Sequence, residues 1–215
     1  MEMLLGGKWC GAAGGACEEV RSPFDGHVVD SVPVGGVEDA AAAIDGAVVA
    51  AGVQRETPAF ERFAVLLRAA DLCDERAEDI AQTLSAESGK PITEARGEAG
   101  RSGALIRLAA FEGSQLYGST LPLDANTGTG LEKVGFTVRQ PCGIIVAISP
   151  FNFPALTVLH KIAPALAAGN AVVLKPARST PLTALKLAQC FVDAGLPAGA
   201  LSVLTGPVGS WVIGW

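Results

Sequence analysis

Apolar positions in the last third of the chain predict three buried strands separated by two helices. The run GIIVAI at 143–148 is continuously apolar, as expected of a parallel strand covered on both faces. Shorter apolar runs at 171–175 and 200–206 predict the second and third strands. Helical periodicity fills the intervals, over 154–168 and over 180–195. This alternation predicts an α/β fold with a doubly wound parallel sheet, in which ligands bind beyond the carboxyl ends of the strands.

Residues at the predicted helix ends agree with these boundaries. Thr180 and Pro181 suit the N-cap and the first position of the second helix, and Gly195 follows its end. Pro164 lies inside the first helical stretch and removes a backbone donor. We therefore expect a kink or two abutting segments at that point.

The first half of the chain predicts a hairpin followed by helices. Turn dipeptides at Ser22-Pro23 and Asp25-Gly26, with the alternation in HVVDSVPV, favour two paired strands. Four helices are predicted next: 37–52, a second with Thr57 as N-cap and Pro58 as first residue, a third that stops at Gly89, and a fourth over 93–113.

An extended arm is predicted between these two parts. Gly, Thr, Asn and Asp dominate until KVGFTVRQP alternates like a strand, which favours two extended segments joined by DANTGTG. The chain then divides into a hairpin and helical part at 1–117, an extended β arm at 118–140, and a β-α-β-α-β half-domain at 141–215.

Composition narrows the classes of function. With 49% hydrophobic and 18% charged residues, the 215-residue chain is typical of a folded globular protein. A net charge of −6 argues against a nucleic-acid partner, which needs clustered Lys and Arg. The first residues lack the features of a secretory signal, and no apolar run reaches the ~18 to 20 residues of a membrane span. We expect a cytoplasmic protein with no membrane partner.

Common catalytic and metal-binding motifs are missing from the sequence. The five cysteines are odd in number, widely spaced and without a CxxC pair, so we expect reduced thiols and no metal site. No glycine cluster fits GxGxxG or a P-loop, and His27 and His160 have no evident triad partners. Cys142 is the cysteine nearest to the first candidate loop in sequence, but it precedes the strand whose other end carries that loop.

Two chemically rich loops follow adjacent predicted strands, SPFNFP at 149–154 and KPARSTP at 175–181. A site built from both is reasonable, whatever it binds, because both leave carboxyl ends of parallel strands. Asn152 carries two amide donors, which in a dry site would stabilise an oxyanion. The alternative for Asn152 is a helix cap or a turn with its own backbone.

Two cations follow the second strand of this half-domain. Lys175 either binds a ribose hydroxyl or a phosphate, or it is a snorkelling surface lysine. Arg178 either adds a second cation to the same rim or is simply solvated. The residues by themselves leave both alternatives open.

The segment 141–206 resembles the aldehyde dehydrogenase superfamily, whose members carry a P-[WF]-N-F-P loop and an L-K-P loop at this spacing. Upstream, SPFDGHVVDSVPVG and ESGKP are similar to that family's N-terminal hairpin and helix end, so the resemblance covers nearly the whole chain. It implies the N-terminal part of the aldehyde dehydrogenase fold. It also implies oxidation of a small-molecule aldehyde to an acid with NAD or NADP, through a thiohemiacetal and a cysteine thioester.

Roles in the site carry over from the resemblance by position. Asn152 matches the oxyanion-hole amide, Lys175 the lysine that binds the adenosine ribose, and Gly206 a glycine near the adenine. The arm at 118–140 would serve oligomerisation. The other matches belong to the cofactor-binding loops: Ile148, Ser149, Pro150, Phe151, Ala177 and Arg178.

One departure from the family pattern concerns the cofactor. The family often has Glu at the position of Arg178, where the carboxylate binds the ribose hydroxyls and repels a 2′-phosphate. An arginine there should weaken that preference, so we expect NADP to be tolerated or favoured.

A second departure concerns the catalytic groups. The family's nucleophilic cysteine and general-base glutamate lie downstream of the third strand, and neither an E-L-G-G segment nor a G-Q-x-C segment is present. We interpret the chain as an N-terminal portion without the catalytic domain: a truncated gene product, a frameshifted reading frame or an engineered fragment. We expect it to be inactive alone, and to form homo-oligomers or aggregates through the arm and an open sheet edge.

Three hypotheses follow. The chain is an aldehyde dehydrogenase by descent, a non-catalytic nucleotide-binding or oligomerisation relic of that family, or an unrelated doubly wound nucleotide-binding domain. Because two loops and their spacing agree with the family, the third hypothesis ranks last.

Overall fold

The computed structural model describes residues 1–125, 127–128 and 132–207 as an α/β fold. Its strands are β1 Met3–Leu5, β2 Lys8–Cys10, β3 Cys17–Arg21, β4 Val28–Pro33, β5 Thr120–Leu121, β6 Gly135–Phe136, β7 Ile144–Ile148, β8 Ala171–Lys175 and β9 Leu201–Val203. Its helices are α1 Val37–Glu56, α2 Ala59–Glu75, α3 Ala77–Ser88, α4 Ile92–Ala99, α5 Ser102–Ser114, α6 Leu156–Ala167 and α7 Pro181–Asp193.

A five-stranded sheet in the order β2-β1-β9-β8-β7 carries the core. β7, β8 and β9 run parallel and are connected through α6 and α7, which confirms the predicted β-α-β-α-β unit. β1 was not predicted, because three apolar residues in a row carry too little periodicity. It pairs antiparallel with β9 through Leu4 and Val203, and β2 pairs antiparallel with β1.

The edge position of β7 corrects one expectation. Every residue of β8 is buried, whereas β7 leaves Val146 63% and Ile148 57% exposed. The prediction that Gly143–Ile148 is covered on both faces was therefore wrong for one face. A continuous apolar run cannot distinguish a central strand from an edge strand, because that difference depends on which neighbours the fold supplies.

The helix ends confirm some local predictions. Gly89 follows α3 with a φ of 71°, and Gly195 follows α7 with a φ of 86°, both in the left-handed region that favours glycine. Thr180 is the N-cap of α7 and Pro181 its first residue. The expected interruption at Pro164 does not divide the helix into two segments, since α6 continues from Leu156 to Ala167.

Two helix predictions were wrong. The stretch 93–113 forms two helices, α4 and α5, with a break at Gly100 and Arg101. The break turns α5 so that Gly103 lies against Asp74 of α2, where a β-carbon would come within 2.2 Å of the carboxylate. Thr57 does not cap α2, because its hydroxyl donates to the carbonyl of Val53 in the preceding helix at 2.8 Å.

The two predicted hairpins are present. β3 and β4 pair antiparallel, and β5 pairs with β6 within the arm. Part of the predicted DANTGTG connection lies outside the described residues. Among the residues described, no helix has the length and apolar character that a bilayer crossing requires.

Candidate functional site

The two candidate loops emerge side by side at one edge of the sheet. Ile148, the last residue of β7, is in register with Lys175, the last residue of β8. The amide of Ser149 donates to the carbonyl of Lys175 at 3.1 Å, which joins the start of one loop to the start of the other. Gly206 follows β9 at the same edge, which we call the carboxyl edge.

The predicted cofactor-loop residues differ in exposure. Ser149 is buried beneath its loop, and Ala177 is half-buried. Gly206 has a φ of 118°, and an added β-carbon would lie 3.3 Å from the amide nitrogen of Gly35. The loop residues open to solvent are Ile148, Pro150, Phe151, Asn152 and Arg178.

Glu98 occupies the helix-capping position that was one alternative for Asn152. One carboxylate oxygen of Glu98 accepts from the backbone amides of Ala155, at 2.9 Å, and Leu156, at 3.2 Å. These two amides begin α6, where backbone donors have no partner within the helix. The N-cap residue of α6 is Ala155 and its first amides donate to Glu98, so the interpretation of Asn152 as a helix cap was wrong.

Lys90, two residues after the end of α3, contacts the SPFNFP loop. Its ammonium lies 2.5 Å from the second oxygen of Glu98 and donates to the carbonyl of Asn152 at 3.1 Å. The same ammonium lies 4.1 Å from the ring centre of Phe153, a cation–π contact. Lys90 thus holds the backbone of Asn152, Glu98 holds the first amides of α6, and Asn152 itself is exposed.

Glu87 provides the equivalent cap for α7. Its carboxylate accepts from the amides of Leu182 at 2.7 Å and Thr183 at 2.8 Å, and also from the Thr183 hydroxyl. Burial raises the pKa of Glu87 to about 7, because desolvation outweighs these three donors. Each candidate loop is therefore followed by a helix whose first backbone amides donate to a glutamate of α3 or α4.

Neither glutamate was predicted as a site residue from the sequence, although a signal existed. Glu87 continues the apolar stripe of α3, three residues after the buried Leu84, and Glu98 lies three residues after the buried Ala95 in α4. A carboxylate at an apolar position of a helix requires hydrogen-bond partners from elsewhere in the fold.

Lys175 is buried beneath the KPARSTP loop. Its side chain is only 5% exposed overall, and its ammonium donates to the carbonyl of Pro176 at 2.8 Å. The surface-lysine alternative is therefore wrong. Burial lowers the pKa of Lys175, Glu18 opposes that shift, and Arg178 adds to it.

Glu18, on β3, adds a carboxylate beside the KPARSTP loop. Its Oε2 lies 2.7 Å from Nε of Arg178, whose side chain is 64% exposed. Glu18 Oε1 is buried without a hydrogen-bond partner among the described residues, and so is the Thr180 hydroxyl. These groups belong to a cleft of about 710 Å³ between β3, the end of α3 and the second loop. Glu18 was missed because its partner is 160 positions away in sequence.

None of the five cysteines lies within the two candidate loops, although Cys17 immediately precedes Glu18 on β3. Cys142 precedes β7, at the end of that strand opposite to the carboxyl edge. Cys73 and Cys190 are buried in α2 and α7, and the hydrogen bond with Cys190, together with burial, raises the pKa of Cys73. Within the described ranges, no group of three His, Cys, Asp or Glu side chains is arranged to hold a metal ion.

Comparison with known proteins places this geometry in a family. The model of the aldehyde dehydrogenase family matches residues 9–212, nearly the whole chain. The chain belongs to the aldehyde dehydrogenase family. The P-F-N-F-P and L-K-P loops, which carried the resemblance, lie together at the carboxyl edge of its sheet.

Curated relatives of this aldehyde dehydrogenase chain include two semialdehyde dehydrogenases. It is 39% identical, over 97% of its length, to the NADP(+) succinate-semialdehyde dehydrogenase GabD of Escherichia coli strain K12. It is 40% identical, again over 97%, to the glutarate-semialdehyde dehydrogenase of Pseudomonas putida KT2440. It spans 42% of the length of each of these relatives.

Solved structures show the same architecture. An NADP-dependent glyceraldehyde-3-phosphate dehydrogenase from Bacillus halodurans C-125, in complex with NADP, superimposes with a TM-score of 0.94 at 36% identity. The match covers 98% of this chain and 44% of that structure. The fold, the N-terminal part of an aldehyde dehydrogenase, agrees with the prediction.

Truncation of Glu98 should destabilise the protein through the SPFNFP loop. Glu98→Ala leaves two helix-start amides without their acceptor and removes the carboxylate partner of the Lys90 ammonium, so we expect a loss of about 2 kcal/mol or more in unfolding free energy. Urea unfolding measures this loss. Glu94→Ala, on the exposed face of the same helix, is the control and should stay within about 0.5 kcal/mol. Equal effects of the two substitutions would contradict the capping role.

The pKa of Glu87 makes stability depend on pH near neutrality. Its folded-state value of about 7 exceeds the ordinary 4.5, so the folded protein binds this proton more tightly than the unfolded chain does. The stabilisation that comes from the tighter binding of this proton is complete below about pH 4.5 and is lost as the pH rises through about 7. Relative to Glu87→Gln, the wild-type unfolding free energy should fall by on the order of 3 kcal/mol over that interval. Parallel urea-unfolding profiles of the two proteins would contradict this.

Proposed function

We propose that the protein takes part in the oxidation of a small-molecule aldehyde to a carboxylic acid with NAD or NADP. The observation that carries this proposal is that the loops bearing Asn152 and Lys175 begin side by side at the carboxyl edge of a member of the aldehyde dehydrogenase family. The names of its relatives support the cofactor class, since one relative is specified as NADP(+)-dependent and one matched structure holds NADP.

The residues at the carboxyl edge fit a dinucleotide. Two cations, Lys175 and Arg178, would meet the ribose and phosphates. Buried oxygens of Glu18 and Thr180 have no partner among the described residues, as expected where a hydroxyl-rich ligand contributes donors and acceptors. In this proposal Ile148, Ser149, Pro150, Phe151 and Ala177 line the pocket, and Gly206 lies near the adenine. When bound, the dinucleotide supplies the hydride acceptor for the oxidation.

Asn152 is proposed as the oxyanion donor. Its amide donates hydrogen bonds without carrying a charge, so it stabilises a negative oxygen with no charged group to desolvate. A donor of this kind contributes roughly 3 to 4 kcal/mol to barrier lowering. Lys90 and Glu98 support this role, because they hold the backbone of Asn152 and the first turn of α6 while the side chain stays exposed.

None of the five cysteines is proposed as the nucleophile. Each lies outside the two loops, and Cys142, at the end of β7 opposite to the carboxyl edge, cannot reach a carbonyl held by Asn152. We propose that these 215 residues contribute the cofactor side of the site and no catalytic thiol. The same observation favours a second candidate, in which the chain binds nucleotide or a second subunit without catalysis.

Three further assignments belong to this proposal. The relatives named for succinate and glutarate semialdehydes support a semialdehyde substrate. The protein is also proposed to be cytoplasmic. The domain boundaries are proposed as 1–117, 118–140 and 141–215. The arm at 118–140 is proposed to contact a second copy, supported by apolar side chains that it exposes: Leu121, Val134, Phe136 and Val138.

The position of Arg178 supports the prediction that the site tolerates or favours NADP. Its guanidinium lies on the rim of the cleft and is largely exposed, where a 2′-phosphate could form charge-assisted hydrogen bonds with it. NAD binding tenfold tighter than NADP, in a direct titration, would contradict this preference.

Dinucleotide binding should depend on Lys175. Lys175→Met keeps the length of a buried side chain and removes its charge, so we expect at least about tenfold weaker binding of both NAD and NADP by calorimetry. Lys161→Met, on the exposed face of α6, is the control and should leave binding unchanged. If wild type binds and both variants bind equally well, Lys175 is not a cofactor residue.

The chain alone should not turn over aldehyde. With succinate semialdehyde and either dinucleotide, we expect no aldehyde-dependent rise in absorbance at the wavelength of the reduced nicotinamide. Turnover abolished by a single Cys→Ala change among the five cysteines would overturn the assignment of the nucleophile. Nucleotide binding without turnover would support the cofactor-side proposal and is also the outcome expected of the non-catalytic candidate.

A further inference from the structure

We propose that Glu18 determines the selectivity between NADP and NAD by holding Arg178, an inference that rests on the proposed cofactor site. Glu18 lies on β3, outside both candidate loops, and neither the family comparison nor the sequence motifs assign it a role. It acts through Arg178 and is therefore a positioning residue.

The geometry around Glu18 is that of a mostly buried carboxylate paired with an exposed cation. Its Oε2 accepts from Nε of Arg178 at 2.7 Å, and its charge opposes the lowering of the Lys175 pKa by burial. The Glu18 side chain is 15% exposed and that of Arg178 is 64% exposed. An ion pair with one well-buried member is screened less by water than a surface pair.

The hairpin that carries Glu18 is anchored to the sheet at the carboxyl edge. Glu18 pairs with Val32 of β4, and the next residue of β4, Pro33, accepts a hydrogen bond from the Thr205 hydroxyl at 2.6 Å. The amide of Gly35 donates to the carbonyl of Thr205 at 3.0 Å. Glu18 is therefore held in place by backbone contacts rather than by its own ion pair, and it should keep its position when Arg178 moves.

A 2′-phosphate and a 2′-hydroxyl meet this arrangement differently. A phosphate must draw the Arg178 guanidinium away from Glu18, and it is also repelled by the carboxylate charge. A ribose hydroxyl carries no charge and can donate to a carboxylate, and Glu18 Oε1 has no partner among the described residues. Glu18 therefore opposes NADP binding, whereas Arg178 favours it.

Neutralising Glu18 tests the inference. We expect Glu18→Gln to tighten NADP binding by about fivefold to tenfold, because a charge-assisted bond no longer competes for Arg178. NAD binding should stay the same or weaken. Calorimetric titration of the full chain with each dinucleotide measures the two dissociation constants separately. Glu78→Gln, an exposed carboxylate of α3 that pairs with Arg96 outside the cleft, is the matched control and should change neither by more than about twofold.

A double-mutant cycle shows whether the effect passes through Arg178. In the Arg178→Ala background, Glu18→Gln should gain at most about twofold in NADP affinity, since only direct repulsion is relieved. If Glu18→Gln does not fold, Glu18→Thr provides a second neutral residue with a high β propensity. Thermal unfolding of each variant confirms that folded proteins are compared.

The outcomes separate this inference from the function on which it rests. If wild type binds neither dinucleotide, the proposed cofactor site is wrong and the inference falls with it. If wild type binds both and Glu18→Gln behaves like Glu78→Gln, the cofactor site stands and the role of Glu18 is wrong. A gain in NADP affinity that persists fully without Arg178 also overturns the positioning role.

Discussion

The arrangement of the candidate site depends on two carboxylates buried at the starts of two helices. Glu98 and Glu87 accept the first backbone amides of α6 and α7, the helices that follow the SPFNFP and KPARSTP loops. Buried amides without acceptors would cost free energy at each helix start, so each carboxyl group stabilises its helix through the hydrogen bonds that it accepts. Glu87 lies in α3 and Glu98 in α4. These two neighbouring helices therefore fix the positions at which both loops end and the helices after them begin.

The charges at the carboxyl edge follow from the same principle of remote support. Lys90 reaches the SPFNFP loop from the end of α3, and Glu18 reaches Arg178 from β3. Neither contact is local in sequence. The loops supply the groups proposed to meet substrate and cofactor, whereas the hairpin and α3–α4 region hold those groups in position. A substitution in that supporting region therefore acts on the site without touching a ligand.

Local sequence patterns were sufficient for the elements whose causes are local. Gly89 and Gly195 end helices because their positive φ favours glycine, and Pro181 starts α7 because its fixed φ suits the first turn. Local patterns failed where a tertiary contact decided the outcome. The helix predicted over 93–113 is interrupted at Gly100 and Arg101, just ahead of Gly103, which packs against Asp74. The apolar strand β7 lies at an exposed edge of the sheet. β1 gave no periodic signal, since its three residues form a strand only beside β9.

The sequence by itself determined the α/β class, the β-α-β-α-β order and the two loops that carry the family motifs, because periodicity and short motifs are properties of neighbouring residues. It also identified Asn152, Lys175 and Arg178 as candidates, while their roles stay predictions. Only the tertiary structure showed that Asn152 is not a helix cap and that Lys175 is buried. It also brought Glu18 to Arg178, Lys90 to the Asn152 loop, and Glu87 and Glu98 to their helices. These contacts join residues about 60 to 160 positions apart. No local pattern encodes such pairs, because the distance between them is set by how the sheet and helices pack.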